Sequence, residues 1–164
     1  MSNERLTALG HNQAQDETWV PHLTVATIVE DQGKFLMVEE VSKGRQVLNQ
    51  PAGHVEARES LIEAAMRETL EETAWQVEII NLVGLYQWHL SATNETFFRY
   101  TFAARPLTSV NQPLDTGIIA AHWLTTDEIN QHHSICRSPL VMRCINDYLQ
   151  GQQYPLASLI QLYD

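Results

Sequence analysis

The stretch Gly53–Trp75, GHVEARESLIEAAMRETLEETAW, constrains this chain more than any other. It sets six glutamates against two arginines, and its second half reads as a helix over Ser60–Thr73. On a helix, Glu71 falls about 60° to one side of Glu68 and Glu72 about 40° to the other. The three carboxylates then share one face. Ile62, Met66, Leu70 and Thr73 fall roughly opposite, which predicts the buried face. Crowded like charges raise one another's pKa and call for a cation, and a hard divalent ion suits oxygen ligands. The plain alternative is a solvated acidic face with pairs such as Glu63–Arg67, each contributing about 0.3 kcal/mol.

The flanking sequence is rich in strands. His22–Glu30 and Lys34–Glu40 are strands joined by a turn at Asp31-Gln32-Gly33, a hairpin. Ser42–Arg45 is a polar loop, and Leu48–Gly53 a tight turn punctuated by Pro51 and Gly53. Gln76–Leu90 holds one or two strands with a bend at Gly84. A hairpin loop, Ser91–Glu95, leads to the strand Thr96–Arg105, and a long loop covers Pro106–Gly117. Ile118–Leu124 is another strand. Thr125–Glu128 is a capping box that opens a short helix. Ser138-Pro139 predicts an N-cap and first turn for a helix that ends near Gln150 at Gly151, and a short helix follows Tyr154-Pro155. The order predicts an α/β (α+β) fold with helices packed on a mixed sheet. Residues 1–18 are weakly patterned and predict a flexible tail with a short helical piece around Arg5–Leu9, leaving 19–164 as one domain.

Charge and cysteine content narrow the function. A net charge of −10 argues against nucleic acid or an anionic membrane as partner. It leaves anionic small molecules open, since bound metal reverses the local sign. No apolar run is long enough to span a membrane, and the first residues carry no secretory pattern. Cys136 and Cys144 lie too far apart along a helix to bridge, which fits the reducing cytoplasm.

The spacing inside the central stretch is specific. Gly53, five residues, Glu59, seven residues, then Arg67-Glu68-Thr69-Leu70-Glu71-Glu72-Thr73-Ala74-Trp75 resembles the Nudix box, G-x5-E-x7-R-E-U-x-E-E-x-G-U with U aliphatic. Thr69 and Trp75 replace aliphatic positions, and Ala74 replaces the glycine that closes the helix. A left-handed Ala74 would cost on the order of 1 kcal/mol. The stretches His22–Val29, Gly33–Glu40, Asn49–Glu56, Tyr86-Gln87-Trp88, Phe97–Phe102, Arg137–Val141 and Gly151–Leu156 resemble the NudJ branch of bacterial Nudix phosphatases.

The resemblance implies a Nudix-type α/β/α sandwich with a mixed sheet. It implies a Mg²⁺-dependent hydrolase, with Mn²⁺ as the alternative ion, that cleaves a phosphoanhydride bond in a nucleoside tri- or diphosphate or a thiamine-precursor pyrophosphate and releases inorganic phosphate. The alternatives are a pyrophosphohydrolase of dinucleoside polyphosphates or ADP-sugars, and a catalytically silent ligand-binding module. Glu68, Glu71, Glu72 and the Gly53 carbonyl match the metal positions, with Glu68 as general base or metal holder. Arg67 and Glu59 would form the pair that orients Glu68. The implied partner is a small-molecule pyrophosphate, bound by a monomer or homodimer.

The resemblance also implies a base or ligand outside the box, for which Asp115 is the nearest acidic candidate, with Glu95 second; loop aspartates are otherwise turn residues. Other residues are candidates from their own chemistry. Arg99, inside an apolar strand, is an edge-strand residue, a structural ion pair or a phosphate clamp. Lys43 and Arg45 are loop cations that could meet phosphate. Tyr86 and Trp88 share a strand face and either pack in the core or stack on a ring. Asn49 and Gln50 read base edges or cap the turn. His54 follows the box glycine, and no histidine spacing suggests a histidine-bound metal.

Overall fold

The computed structural model describes residues 19–162, so the expected tail and its helical piece lie outside the described residues. The strands are β1 (His22–Asp31), β2 (Lys34–Ser42), β3 (Arg45–Asn49), β4 (Ala52–His54), β5 (Trp75–Leu90), β6 (Glu95–Ser109) and β7 (Ile118–Thr125). The helices are α1 (Leu61–Thr73), α2 (Thr126–Gln131) and α3 (Leu140–Leu149), with single 3₁₀ turns at His133–Ile135 and Leu156–Ser158. Among the described residues the seven strands make one mixed sheet with a central path β3-β2-β1-β6-β5.

Strand β1 explains the layout. Thr24–Val29 are buried without a break, because helices cover both faces of the sheet. Val25 and Val29 face one core with Leu36, Val77, Phe102 and the α1 residues Ala64 and Ala65. Ile28 faces the other core with Met37, Val83, Ile129 of α2 and Val141 and Ile145 of α3. The layers are therefore α1, sheet, and α2 with α3, as an α/β/α sandwich requires. Along one edge β1 also forks. Its start pairs with β4 through Thr24↔His54, Val25↔Gly53 and Ala26↔Ala52, and its end pairs with β2 through Glu30↔Phe35. On the opposite edge it runs parallel to β6 from His22↔Phe97 to Val29↔Ala104. The fork delivers the Gly53 loop to the middle of the sheet.

The helix α1 begins as expected. Ser60 caps it, the Glu63 N–H donates to Ser60 Oγ (3.0 Å), and the Ser60 N–H donates to Glu63 Oε2 (2.7 Å). It ends on Ala74 in the left-handed region, φ 58° and ψ 26°, where alanine carries the strain that a glycine would avoid.

Several boundaries differ from the sequence reading. Leu48 and Asn49 belong to β3, and Ala52 and Gly53 to β4, because the turn between them is short and both segments find partner strands. Strand β6 runs through Pro106 to Ser109, paired with β5, so the loop is only 110–117. Ser138 does not cap α3; Pro139 is its N-cap and no side chain closes it. The buried face of α1 is Ala64, Ala65, Thr69, Glu72 and Thr73, and Met66 stands 43% exposed. Small residues let the helix approach the sheet closely, and Ile62 and Leu70 sit at the edges of that contact. No described helix is long and apolar enough to cross a membrane, and both cysteines are free.

Candidate catalytic and metal site

The site is built where β4, the loop 55–60 and α1 meet. Arg67 is its strut. Its Nε and Nη2 donate to the two oxygens of Glu59 (3.0 and 2.7 Å), Nη1 to Glu68 Oε1 (2.9 Å) and Glu71 Oε2 (3.0 Å), and Nη2 also to the His54 carbonyl (3.1 Å). Every N–H of the guanidinium is used, and the fork-to-fork pair with Glu59 sets its plane. Glu59 is held in turn by the Glu56 N–H (2.6 Å). The Arg67 bond holds the Glu59 carboxyl below its ordinary range. The alternative pairing of Arg67 with Glu63 does not form, because Glu63 is spent on the helix cap.

Glu68 packs against the backbone of Gly53. A Cβ built on Gly53 would fall inside the Glu68 carboxyl group, so only glycine permits this approach. Burial raises the Glu68 pKa against the pull of Arg67, and the charges of Glu71 and Asp115 add to the rise. Glu72 faces inward, and its Oε2 accepts from the Ala52 N–H (2.9 Å). Burial first, then the charges of Glu40 and Glu68, push its carboxyl up to about 8. Such a group ionises readily at neutral pH only beside a compensating cation. The three carboxylates do not share one open face as the helical wheel predicts. Glu72 turns towards the sheet, and Glu68 and Glu71 are drawn together by Arg67 Nη1. Among the described residues no group of three His, Cys, Asp or Glu side chains stands in coordinating geometry.

The donor set nonetheless fits a hard cation. Glu68, Glu71, Glu72 and the Gly53 carbonyl are all oxygens, carried on adjacent turns and on the strand beside them. Asp115 is tied to the same helix end. Its N–H donates to the Glu71 carbonyl (3.0 Å), and Gln112 Nε2 donates to the Leu70 carbonyl (2.9 Å). Glu95 sits elsewhere, on the β5–β6 hairpin against His22 Nε2 (3.3 Å).

The other candidates divide into groups. Trp88 stacks on Phe97 (centroids 5.5 Å apart), Phe97 stacks on His22 (4.6 Å), and His22 Nδ1 meets His54 Nε2 (3.1 Å). These rings form a ladder from the hairpin to the box loop. Tyr86 instead packs at the edge of the α3 core, and its hydroxyl donates to Asp147 Oδ2 (3.0 Å). Asn49 Nδ2 donates to Glu40 Oε1 (3.2 Å), and Gln50 Nε2 to the Val141 carbonyl (2.8 Å). Arg99 is not on an edge strand, since β6 lies between β1 and β5. Lys43 and Arg45 are exposed at the β2–β3 turn.

Sequence reasoning missed His22, Phe97, Glu40 and Arg137. Glu40 ends an apolar strand and reads as its solvated terminus. A register shift between Glu39 and Glu40 against β7 accompanies its burial, and no alternation pattern signals that.

Comparison with known proteins agrees with this geometry. The NUDIX domain family model matches residues 20–143. The chain is 43% identical over 138 residues to a protein of Escherichia coli K12 named Phosphatase NudJ, covering 83% of this chain and 88% of that one. A solved NUDIX hydrolase from Nitrosomonas europaea superposes with a TM-score of 0.85 at 43% identity, covering 88% of this chain and 98% of that one. A UDP-X diphosphatase shares the fold at 16% identity, with a TM-score of 0.67 and coverage of 86% and 68%.

Proposed function

The chain belongs to the Nudix family of hydrolases, and from that premise we propose that it cleaves the phosphoanhydride bond of a nucleoside tri- or diphosphate, or of a thiamine-precursor pyrophosphate, releasing inorganic phosphate one group at a time. The observation that carries the reading is the Glu68 carboxyl lodged on the Gly53 backbone while Arg67 fixes it from the other side. The similarity to a protein named as a phosphatase favours release of phosphate over pyrophosphate.

Glu68, Glu71, Glu72 and the Gly53 carbonyl are the residues that would hold Mg²⁺ or Mn²⁺. When bound, that ion polarises the phosphoryl oxygens and lowers the pKa of water. Glu68, placed by Arg67 on the Gly53 backbone, accepts the proton of the attacking water or holds the metal that activates it. Arg67 and Glu59 orient Glu68 and keep the box loop closed on the helix. Asp115, beside Glu71, is the second acid that can take a proton or a ligand role. The ladder of Trp88, Phe97 and His22 offers ring faces on which the organic part of the substrate stacks. The free thiols fit action in the reducing cytoplasm.

A panel of nucleoside di- and triphosphates with Mg²⁺ tests the reading. Stepwise phosphate release supports it, and pyrophosphate as the sole product overturns it.

A further inference from the structure

Arg99 is a buried cation with unmet donors. It is 8% exposed, and its Nε and Nη1 have no hydrogen-bond partner among the described residues. It stands between Thr24 of β1 and Tyr86 of β5, where neither neighbour is acidic. A guanidinium stays charged in a protein, and an unpaired buried charge is costly. A purely structural role needs a carboxylate, and Arg67 shows what that looks like in this same molecule.

The carboxylates whose charges bear on Arg99 are Glu40 and Glu72. Both are already engaged. Glu40 Oε1 accepts from Asn49, and its Oε2 accepts from Arg137 Nη1 (2.6 Å). Glu72 accepts from the Ala52 N–H and belongs to the metal site. Arg137 adds a second positive charge, which bears on Arg99, Glu72 and His54 alike. Its side chain is 43% exposed, so it forms the open rim of the cluster while Arg99 forms the floor. Ser138 Oγ, on the next residue along, is also buried without a partner among the described residues. Glu40 is therefore committed to Asn49 and Arg137, Arg99 has no carboxylate bonded to it among the described residues, and what is missing is an anion.

We infer that Arg99 and Arg137 form a phosphate subsite that holds a phosphate of the substrate next to the one attacked at the box. The inference rests on the proposed hydrolase reading for the identity of that anion. Arg137 takes part without leaving Glu40, because a guanidinium has donors for both. Arg99 supplies the buried end, where low polarity strengthens each charged contact.

The test uses the full chain in the presence of a chelator, with inorganic pyrophosphate titrated by calorimetry at fixed ionic strength. The parent protein binds it. Arg99→Met, which keeps length and removes charge, weakens binding at least tenfold, and Arg137→Gln weakens it severalfold. With Mg²⁺ and a turned-over nucleotide, both variants raise KM more than they lower kcat. Thermal melting checks the fold of each variant. If Arg99→Met fails to fold, the exposed Arg137→Gln decides alone. A parent that does not bind pyrophosphate, or folded variants that bind it as tightly as the parent, would overturn the subsite. Pyrophosphate binding without hydrolysis of any diphosphate would instead remove the hydrolase reading and leave the anion site standing.

Discussion

Arg67 and Arg99 flank the same acidic cluster and live in opposite ways. Arg67 spends all its donors on Glu59, Glu68, Glu71 and the His54 carbonyl, although a quarter of its side chain is still exposed to water. Arg99 is far more buried, and two of its three nitrogens find no partner among the described residues. A saturated arginine is a cross-link, and its loss is read in stability and in the aim of the groups it holds. An unsaturated one, on the phosphate role inferred for Arg99, is a recognition group whose loss is read in affinity. On that reading the contrast separates the part proposed to break a bond from the part proposed to select what is broken.

The largest effect belongs to the residue that Arg67 aims. Glu68→Gln keeps the shape and removes the base, so turnover falls about 10²- to 10⁴-fold while the melting temperature holds or rises. Steady-state kinetics beside a thermal melt check this, and turnover near the parent's would remove Glu68 from the chemistry. Next, Arg67→Lys keeps charge but loses the fork to Glu59. It destabilises the fold by about 2 kcal/mol, a shift of roughly 4–8 °C for a chain of this size. Arg99→Lys leaves melting within about 2 °C. Equal losses for the two lysine variants would erase the distinction between strut and recognition group.

A pH titration sharpens the comparison on the side of Glu72. Its folded pKa of about 8 lies above that of an unfolded glutamate, so the folded state binds the extra proton between those values. Stability of the metal-free protein is fullest below the unfolded pKa and falls as pH rises, by about 2 kcal/mol between pH 6 and 8. Denaturant unfolding with a chelator measures this. Divalent metal reverses the slope, because its binding releases that proton. A flat profile would mean that Glu72 is already ionised.

The smallest expected effect is at the helix exit. Ala74→Gly relieves the left-handed strain but removes a methyl group from a position only 8% exposed. Strain relief of about 1 kcal/mol against a lost methyl and added chain entropy leaves a net gain of about 0.5 kcal/mol at most. A loss of stability would show that the methyl packing dominates.

The box was legible because its spacing is fixed by a helix, and helical periodicity is local. The cap at Ser60, the capping box at Thr125 and the left-handed exit at Ala74 are likewise local, and each stands where the sequence puts it. What the sequence hid was long-range. Glu72 reads as a metal-position carboxylate on an open helix face with Glu68 and Glu71, and only the sheet shows that it is buried. The ring ladder joins His22, Phe97 and Trp88, which are distant in the chain and meet only through β1–β6 and β5–β6 register. Arg99 was visible as an oddity in an apolar strand, but only the fold shows that Glu40 is taken by Arg137. Small residues on α1 misled the amphipathic reading, since close packing against the sheet favoured alanine and threonine over the larger Met66.

The strand β1 carries a consequence of its own. Thr24 is paired with His54 of β4 on one side and with Arg99 of β6 on the other. Backbone hydrogen bonds alone thus hold the box loop and Arg99 two interstrand spacings apart, about 10 Å. Side-chain changes can lengthen or shorten reach at either end, but they leave that backbone span in place. The sheet therefore works as a fixed frame: whatever bridges the box and Arg99 is sized by side-chain reach across a main-chain span that substitutions at either end do not alter.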